Sequence, residues 1–233
     1  MNEKQLDNDW LNAKKFQSNQ LSTTKIFDFI FCSRLEKEKN PEFAVQVALL
    51  TASRLGKKCR LLFVGSGSLE ASLKKLATQY RDSLEIVIHG FATQSELPAL
   101  YRSAKLFLFP TQADVWGIVV NEACAGGLPI ITTPYAGVVN ELVINNKNGY
   151  VRDLNVHMWV NCSTELLINP KLYSNFSQHS LSLVAPYNFS TASDGIKRAI
   201  FYALKNSKFS SRLMNPSSSI KRIEWNLLYL QYR

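Results

Sequence analysis

The chain has 233 residues, of which 46% are hydrophobic and 19% charged. That is enough to bury a sizeable core without disulfides or metal, and it excludes collagen, a coiled coil and a wholly disordered chain. The net charge of +9 sits mostly at one end, because beyond Asp194 eight Lys and Arg residues, from Lys197 to Arg233, face the single acid Glu224. The C-terminal end therefore reads as a basic appendage on a nearly neutral body, either a solvated helix and tail or a contact for an anionic membrane or nucleic acid.

Residues 1–24 are polar and aperiodic, a linker or frayed helix. From Lys25 the aromatic and β-branched run IFDFIFC predicts a buried strand. Pro41 opens a helical pattern with Phe43, Val47, Leu50 and Leu55, and Gly56 closes it. CRLLFVG predicts a second strand, and Leu69 to Tyr80 a helix with Leu69, Leu73, Leu76 and Ala77 at helical spacing. LEIVIHG is a third strand, followed by a short helix capped by Ser95 and running through Tyr101, then the strand AKLFLFP. Trp116 to Ala125 reads as a helix stopped by Gly126-Gly127, LPIITT as a strand, and Val138 to Ile144 as a short helix. Gly149 to Val151 forms a brief last strand, and residues 155–206 are helical in two or three pieces broken near Pro170 and Pro186. Residues 209–219 read as loose, and 220–233 as an amphipathic helix with Ile220, Ile223, Leu227 and Leu230 on one face. No internal repeat is present.

Strands alternating with helices in this rhythm predict an α/β, doubly wound parallel sheet with a C-terminal helical extension. Ligands in such sheets bind beyond the carboxyl ends of the strands. After the first strand, Arg34 and Lys39 precede a helix and suit either a phosphate clamp or a solvated surface. After the second, Gly65-Ser66-Gly67 lacks the third glycine of a dinucleotide fingerprint, because Glu70 stands there, so a dehydrogenase is disfavoured. After the third comes His89-Gly90-Phe91, a packed turn or a pocket rim that could hold a flat base. After the fourth, Asp114 and Glu122 flank a helix start at Gly117. Free N–H groups and the positive dipole end suit a diphosphate, and the two acids suit sugar hydroxyls. The alternative is that Asp114 merely caps the helix and Glu122 pairs locally.

Cys32, Cys59, Cys124 and Cys162 form no C-x-x-C pair, so a zinc ribbon or disulfide scaffold is disfavoured and a reducing, cytoplasmic setting is expected. No cluster has metal-ligand spacing, no stretch reads as a membrane span, and MNEKQLDNDW lacks the apolar core of a secretory signal.

Five motifs occur in order: R-L-x-x-x-K-N-P from Arg34, V-G-x-G from Val64, H-G-F from His89, D-V-W-G-I-V-V-N-E-A from Asp114, and A-G-x-x-x-E-L-V-x-x-x-x-N-G-Y from Ala136. Over roughly residues 25–206 this pattern resembles the C-terminal, donor-binding half of GT-B glycosyltransferases, most of all the retaining enzymes of glycosyltransferase family 4. The family's first acid is usually Glu; Asp114 is one methylene shorter. The resemblance implies a Rossmann-like GT-B half over 25–206, and the charge distribution makes 207–233 a basic extension. It implies that Arg34 and Lys39 neutralise a leaving diphosphate and that Asp114 holds donor-sugar hydroxyls. It places Gly117, Ile118 and Val119, beside Trp116, at the phosphates, Glu122 at the ribose hydroxyls, and Gly90 and Phe91 by the nucleobase. It implies metal-independent transfer from a nucleotide-diphospho-sugar with no cofactor. Only 24 residues precede the first strand, too few for an acceptor domain of about 150 residues. The chain is therefore expected to be one half of a split enzyme with a separate acceptor-domain chain as partner, a truncated product, or an isolated donor-binding domain. The alternative functions are a non-catalytic nucleotide-sugar-binding remnant and a membrane-surface adaptor in peripheral contact with the inner membrane face, and no nucleic acid is expected as partner.

Overall fold

A computed structural model describes residues 26–206. The polar segment 1–24, the loose stretch 209–219 and the amphipathic helix expected at 220–233 lie outside the described residues. The chain divides between Ala185 and Pro186 into two compact units.

The first unit is a six-stranded parallel sheet: β1 (Phe27–Cys32), β2 (Cys59–Val64), β3 (Leu84–Gly90), β4 (Ala104–Phe109), β5 (Ile130–Thr132) and β6 (Gly149–Val151). Their spatial order is β3-β2-β1-β4-β5-β6. Every pairing is parallel, as the strand–helix alternation predicts. The chain winds outward from β1 to β3, then returns to lay β4 on the other side of β1. The adjacent pair β1 and β4 is therefore the switch point, where consecutive crossovers leave on opposite faces and open a crevice at the strand ends.

Both faces of the sheet are covered, which is why the strands read as near-continuous apolar runs. Phe29, Phe31, Leu61, Phe63, Leu106 and Leu108 face one core. Ile30, Cys32, Leu62, Val64, Phe107 and Phe109 face the other. Over the first core lie α1 (Pro41–Leu55) and α5 (Val156–Ile168), whose Trp159 meets Phe43 edge-on at 5.2 Å between ring centroids. α1 begins with Pro at its first turn and ends at Gly56 in the left-handed region, as its sequence predicts. Asn155 caps α5, and Asn169 caps α6 (Pro170–Val184). The remaining helices of this unit are α2 (Glu70–Gln79), α3 (Leu97–Arg102) and α4 (Ile118–Ala125). The second unit contributes α7 (Phe189–Asn206). Among the described residues no helix is long and apolar enough to cross a membrane.

Three local expectations are corrected. Val138–Ile144 is a series of turns rather than a helix. Asn140 takes a left-handed φ of 67°, and the Asn148 side chain binds the Leu142 carbonyl and the Ile144 N–H, satisfying groups a helix would have paired. Ser95 does not cap α3; Glu96 reaches back to the N–H and hydroxyl of Thr93 to start that turn. α4 starts at Ile118, two residues later than expected, because Gly117 occupies the cap with φ 94°.

At the opposite end of the sheet from the crevice, Asp28 is 6% exposed. It accepts from Lys57 Nζ at 3.2 Å, Lys105 Nζ at 3.1 Å and the Arg60 N–H at 3.1 Å. Burial works against its ionisation, but Lys105, Arg60 and Lys57 together hold its carboxyl below the ordinary Asp range. A depressed folded-state value means stabilisation that is complete above the unfolded value and lost as pH falls through the folded one. Asp28→Asn is therefore expected to lower unfolding free energy at pH 7 by about 1–2 kcal/mol, a figure reduced because the lysines are partly solvated. Urea titrations should show the difference shrinking below about pH 4.

Candidate functional site

The loop after β1 runs Ser33–Glu36 into a 3-10 turn, Lys37–Lys39, that delivers two cations to the crevice end. Lys39 is nearly buried; its Nζ lies 2.8 Å from Asp114 Oδ2, 3.1 Å from the Ala113 carbonyl and 3.8 Å from Glu38 Oε1. Arg34, largely exposed, donates to Glu38. The result is a chain of alternating charge, Arg34–Glu38–Lys39–Asp114, that bridges the loops after β1 and β4. The Gln112 N–H, donating to the Glu38 carbonyl at 2.8 Å, adds a main-chain tie between the same loops.

The segment after β4 is braced from its other side by the loop after β5. The Asp114 N–H donates to the Tyr135 carbonyl at 3.2 Å, Gly137 returns a bond to the Asp114 carbonyl at 2.9 Å, and Val138 bonds the Trp116 carbonyl at 3.1 Å. Thr133 Oγ1 holds the Thr111 carbonyl at 2.6 Å. Asp114 Oδ1 accepts from the Trp116 N–H at 3.2 Å, so Asp114 shapes the turn before α4 as well as pairing with Lys39. Trp116 is partly buried, with its Nε1 on Asn121 Oδ1 at 2.8 Å.

Gly117 enters α4 with φ 94°, and a Cβ there would sit 2.9 Å from the Phe109 ring. The left-handed backbone of Gly117 and the Phe109 ring packed against it set the entry to α4. Among the described residues no hydrogen bond is made by the N–H of Gly117, Ile118 or Val119, as expected of a helix start. The Ile118 side chain is 65% exposed, whereas Val119 packs against the second core.

Glu122 lies on the following turn, where Oε2 accepts from Tyr101 OH at 2.9 Å. Burial raises the Glu122 carboxyl above the ordinary glutamate range, and the tyrosine bond partly offsets this. Gly90 and Phe91 lie at the end of β3, an edge strand two positions from β1. Phe91 is 81% exposed. No hydrogen bond or ring contact among the described residues joins Phe91 to the charged chain.

The structure thus brings Arg34, Lys39, Asp114, Trp116, Gly117, Ile118 and Val119 to the β1/β4 switch point and sets Glu122 behind them. The Gly65-Ser66-Gly67 turn has a different role. A Cβ on Gly65 would fall 2.1 Å from the Ser33 carbonyl, so this glycine lets the loop after β2 lie against the loop carrying Arg34. Glu38 and Tyr101 were not singled out by the sequence. Glu38 carries an i,i+4 signal relative to Arg34, but Tyr101 lies 21 residues from Glu122 and has none.

The family described as glycosyl transferases group 1 matches residues 12–181. The chain belongs to this family. The group 1 glycosyl transferase domain has curated relatives that include the alpha-D-kanosaminyltransferase of Streptomyces kanamyceticus, 26% identical over 73% of this chain and 45% of that protein. A D-inositol 3-phosphate glycosyltransferase of Pseudarthrobacter chlorophenolicus is 28% identical over 54% of this chain and 31% of its own. The chain therefore spans less than half the length of these relatives. Among solved structures, the pneumococcal O-GlcNAc transferase GtfA, in complex with UDP and GlcNAc, superposes with TM-score 0.66 at 21% identity over 78% of this chain and 36% of that one. The C-terminal domain of a group 1 family glycosyl transferase (LpcC) of Francisella tularensis gives 0.61 at 20% identity over 78% of this chain and 92% of that domain. The fold of this group 1 domain is that of GT-B glycosyltransferases.

Gly117→Ala is expected to destabilise the fold by about 2–3 kcal/mol, since it adds left-handed strain and a 2.9 Å contact with the edge of the Phe109 ring. A chemical-denaturation midpoint unchanged from wild type would show that the turn relaxes freely.

Proposed function

We propose that this chain is the donor-binding half of a retaining, family 4 GT-B glycosyltransferase, taking a nucleotide-diphospho-sugar and supporting metal-independent transfer to an acceptor held by a separate N-terminal half. The observation that carries this reading is the Lys39–Asp114 pair at 2.8 Å, which sets a cation and a carboxylate beside the unpaired N–H groups entering α4. The near-complete superposition on an isolated C-terminal domain of the same family supports the assignment to that half.

In this reading the bond between the anomeric carbon and the diphosphate breaks with negative charge building on the phosphate oxygens. Arg34, Lys39 and the N–H groups of Gly117, Ile118 and Val119 stabilise that charge more than the ground state. A diphosphate competes with Glu38 for Arg34, a cheap exchange because that ion pair is exposed. Lys39 stays anchored by Asp114, which holds it in place while keeping a carboxylate near the sugar hydroxyls. Glu122 accepts from the ribose hydroxyls, and Gly90 and Phe91 border the base.

Glu122→Ala is expected to weaken UDP or GDP binding by about 1–3 kcal/mol, the usual worth of hydrogen bonds to a charged group; titration calorimetry with unchanged affinity would remove its ribose role. Arg34→Ala should weaken the same ligands more at low salt than at high salt. Sugar transfer is expected only when the chain is combined with an acceptor-binding half, and turnover by the purified chain alone would overturn that division of labour.

A second element of the proposal is peripheral contact with an anionic membrane. It rests on α7, where Phe189, Ile196 and Ile200 are exposed along one side while Lys197, Arg198 and Lys205 supply positive charge. Pelleting with phosphatidylserine vesicles should be strong at low salt, weak at high salt, and reduced by deleting residues 207–233. Salt-independent absence of binding would discard this contact.

A further inference from the structure

Tyr101 occupies the last turn of α3 and is 1% exposed. Its ring meets Phe107 edge-on at 5.9 Å between centroids. Its backbone-proximal side packs against the end of α4, where a Cβ on Gly126 would lie 3.0 Å from the Tyr101 Cβ. The ring is therefore fixed on two sides by β4 and α4. Its hydroxyl is the only polar part of a residue otherwise packed among apolar neighbours, and a buried phenol must find partners there. It finds one in the Glu122 carboxylate at 2.9 Å, with Cys32 of β1 in the same buried cluster.

The direction of the bond to Glu122 follows from the surroundings. Burial and the neighbouring Cys32 and Glu122 push the phenol well above the ordinary tyrosine range, and burial pushes the Cys32 thiol up to about 11. The phenolic O–H is the donor of that contact, and the carboxylate oxygen accepts. Tyr101 donates, and it occupies Oε2. Among the described residues Oε1 has no hydrogen-bond partner. A glutamate on a helix surface otherwise loses considerable rotamer freedom when it engages a ligand.

We propose that Tyr101 is a positioning residue for Glu122: its fixed hydroxyl holds Oε2, so that Oε1 is already aimed at the vicinal hydroxyls of the ligand's ribose before the ligand arrives. This rests on the ribose role given to Glu122 above. The device spans two elements beside the switch point, because α3 carries the donor and α4 the acceptor. It would make affinity for the ribose depend on a residue that never touches the ligand.

Tyr101→Phe keeps the ring and removes only the hydroxyl. With UDP and GDP as probes, its affinity for whichever nucleotide the wild type takes should fall about tenfold, the scale of one charge-assisted hydrogen bond. Its affinity for inorganic diphosphate, which has no ribose, should stay within twofold of wild type. Tyr101→Phe should add nothing in a Glu122→Ala background. Independently of any ligand, the carbon-13 carboxyl resonance of Glu122 should titrate at higher pH in Tyr101→Phe, since a bond favouring the charged form has gone. An unchanged Glu122 midpoint overturns the proposal, as does unchanged nucleotide affinity in Tyr101→Phe where Glu122→Ala binds weakly. Equal losses for nucleotide and inorganic diphosphate also overturn it, since they mark general damage to the fold. If Glu122→Ala itself binds as wild type, or the wild type binds neither nucleotide, the parent reading of the site fails instead and takes this one with it.

Discussion

The Lys39–Asp114 ion pair is the constraint around which the crevice is organised. β1 and β4 are neighbours in the sheet but their crossovers depart in opposite directions, so the loops at their ends have no reason to stay together. The nearly buried Lys39 supplies one, reaching the carboxylate and a carbonyl of the facing loop. An ammonium this poorly hydrated needs such partners, because a buried cation without them is strongly disfavoured. The same contact keeps Asp114 where it can shape the entry to α4 through the Trp116 N–H. Removing either member would leave the other charged and undersolvated, so the two residues act as one structural unit.

Around that pair the chain uses main-chain contacts more than side chains. The loops after β1 and β2 touch backbone to backbone at Gly65, and the loops after β4 and β5 exchange bonds between Asp114, Tyr135 and Gly137. Such contacts hold donors ready for a charged group without further reorganisation. The exposed Arg34 is the exception, its side chain hydrogen-bonded among the described residues to Glu38 alone. The site thus pairs one buried cation with one exposed one.

The sheet was legible because burial on both faces writes itself as short apolar runs, and every strand from IFDFIFC to GYV lies where its run stands. The cation pair and the Asp114–Glu122 segment were legible because loops at strand ends in a doubly wound sheet converge. The alternative that the sequence left open for that segment holds only in part: Asp114 does bond the turn before α4, whereas the partner of Glu122 is Tyr101, 21 residues away, and not a local one. The stretch from Val138 to Ile144 was misread because its apolar spacing is compatible with a helix. What decides against one is the φ of Asn140 and the reach of the Asn148 amide back into the loop, a tertiary effect with no local signature. Tyr101 was invisible as a site residue for a similar reason, since its partner is reached only after a strand and a loop have intervened.

All four cysteines are buried and unpaired. Burial lifts the thiols of Cys32 and Cys59 to about 11 and that of Cys124 to about 12, and raises that of Cys162 as well. Since the reactive species is the thiolate, the native protein is close to inert toward maleimides and similar electrophiles near neutral pH. A single cysteine introduced on an exposed surface would carry a fluorophore or spin label almost alone, so distances from the crevice to any partner could be measured without first stripping the natural thiols from the chain.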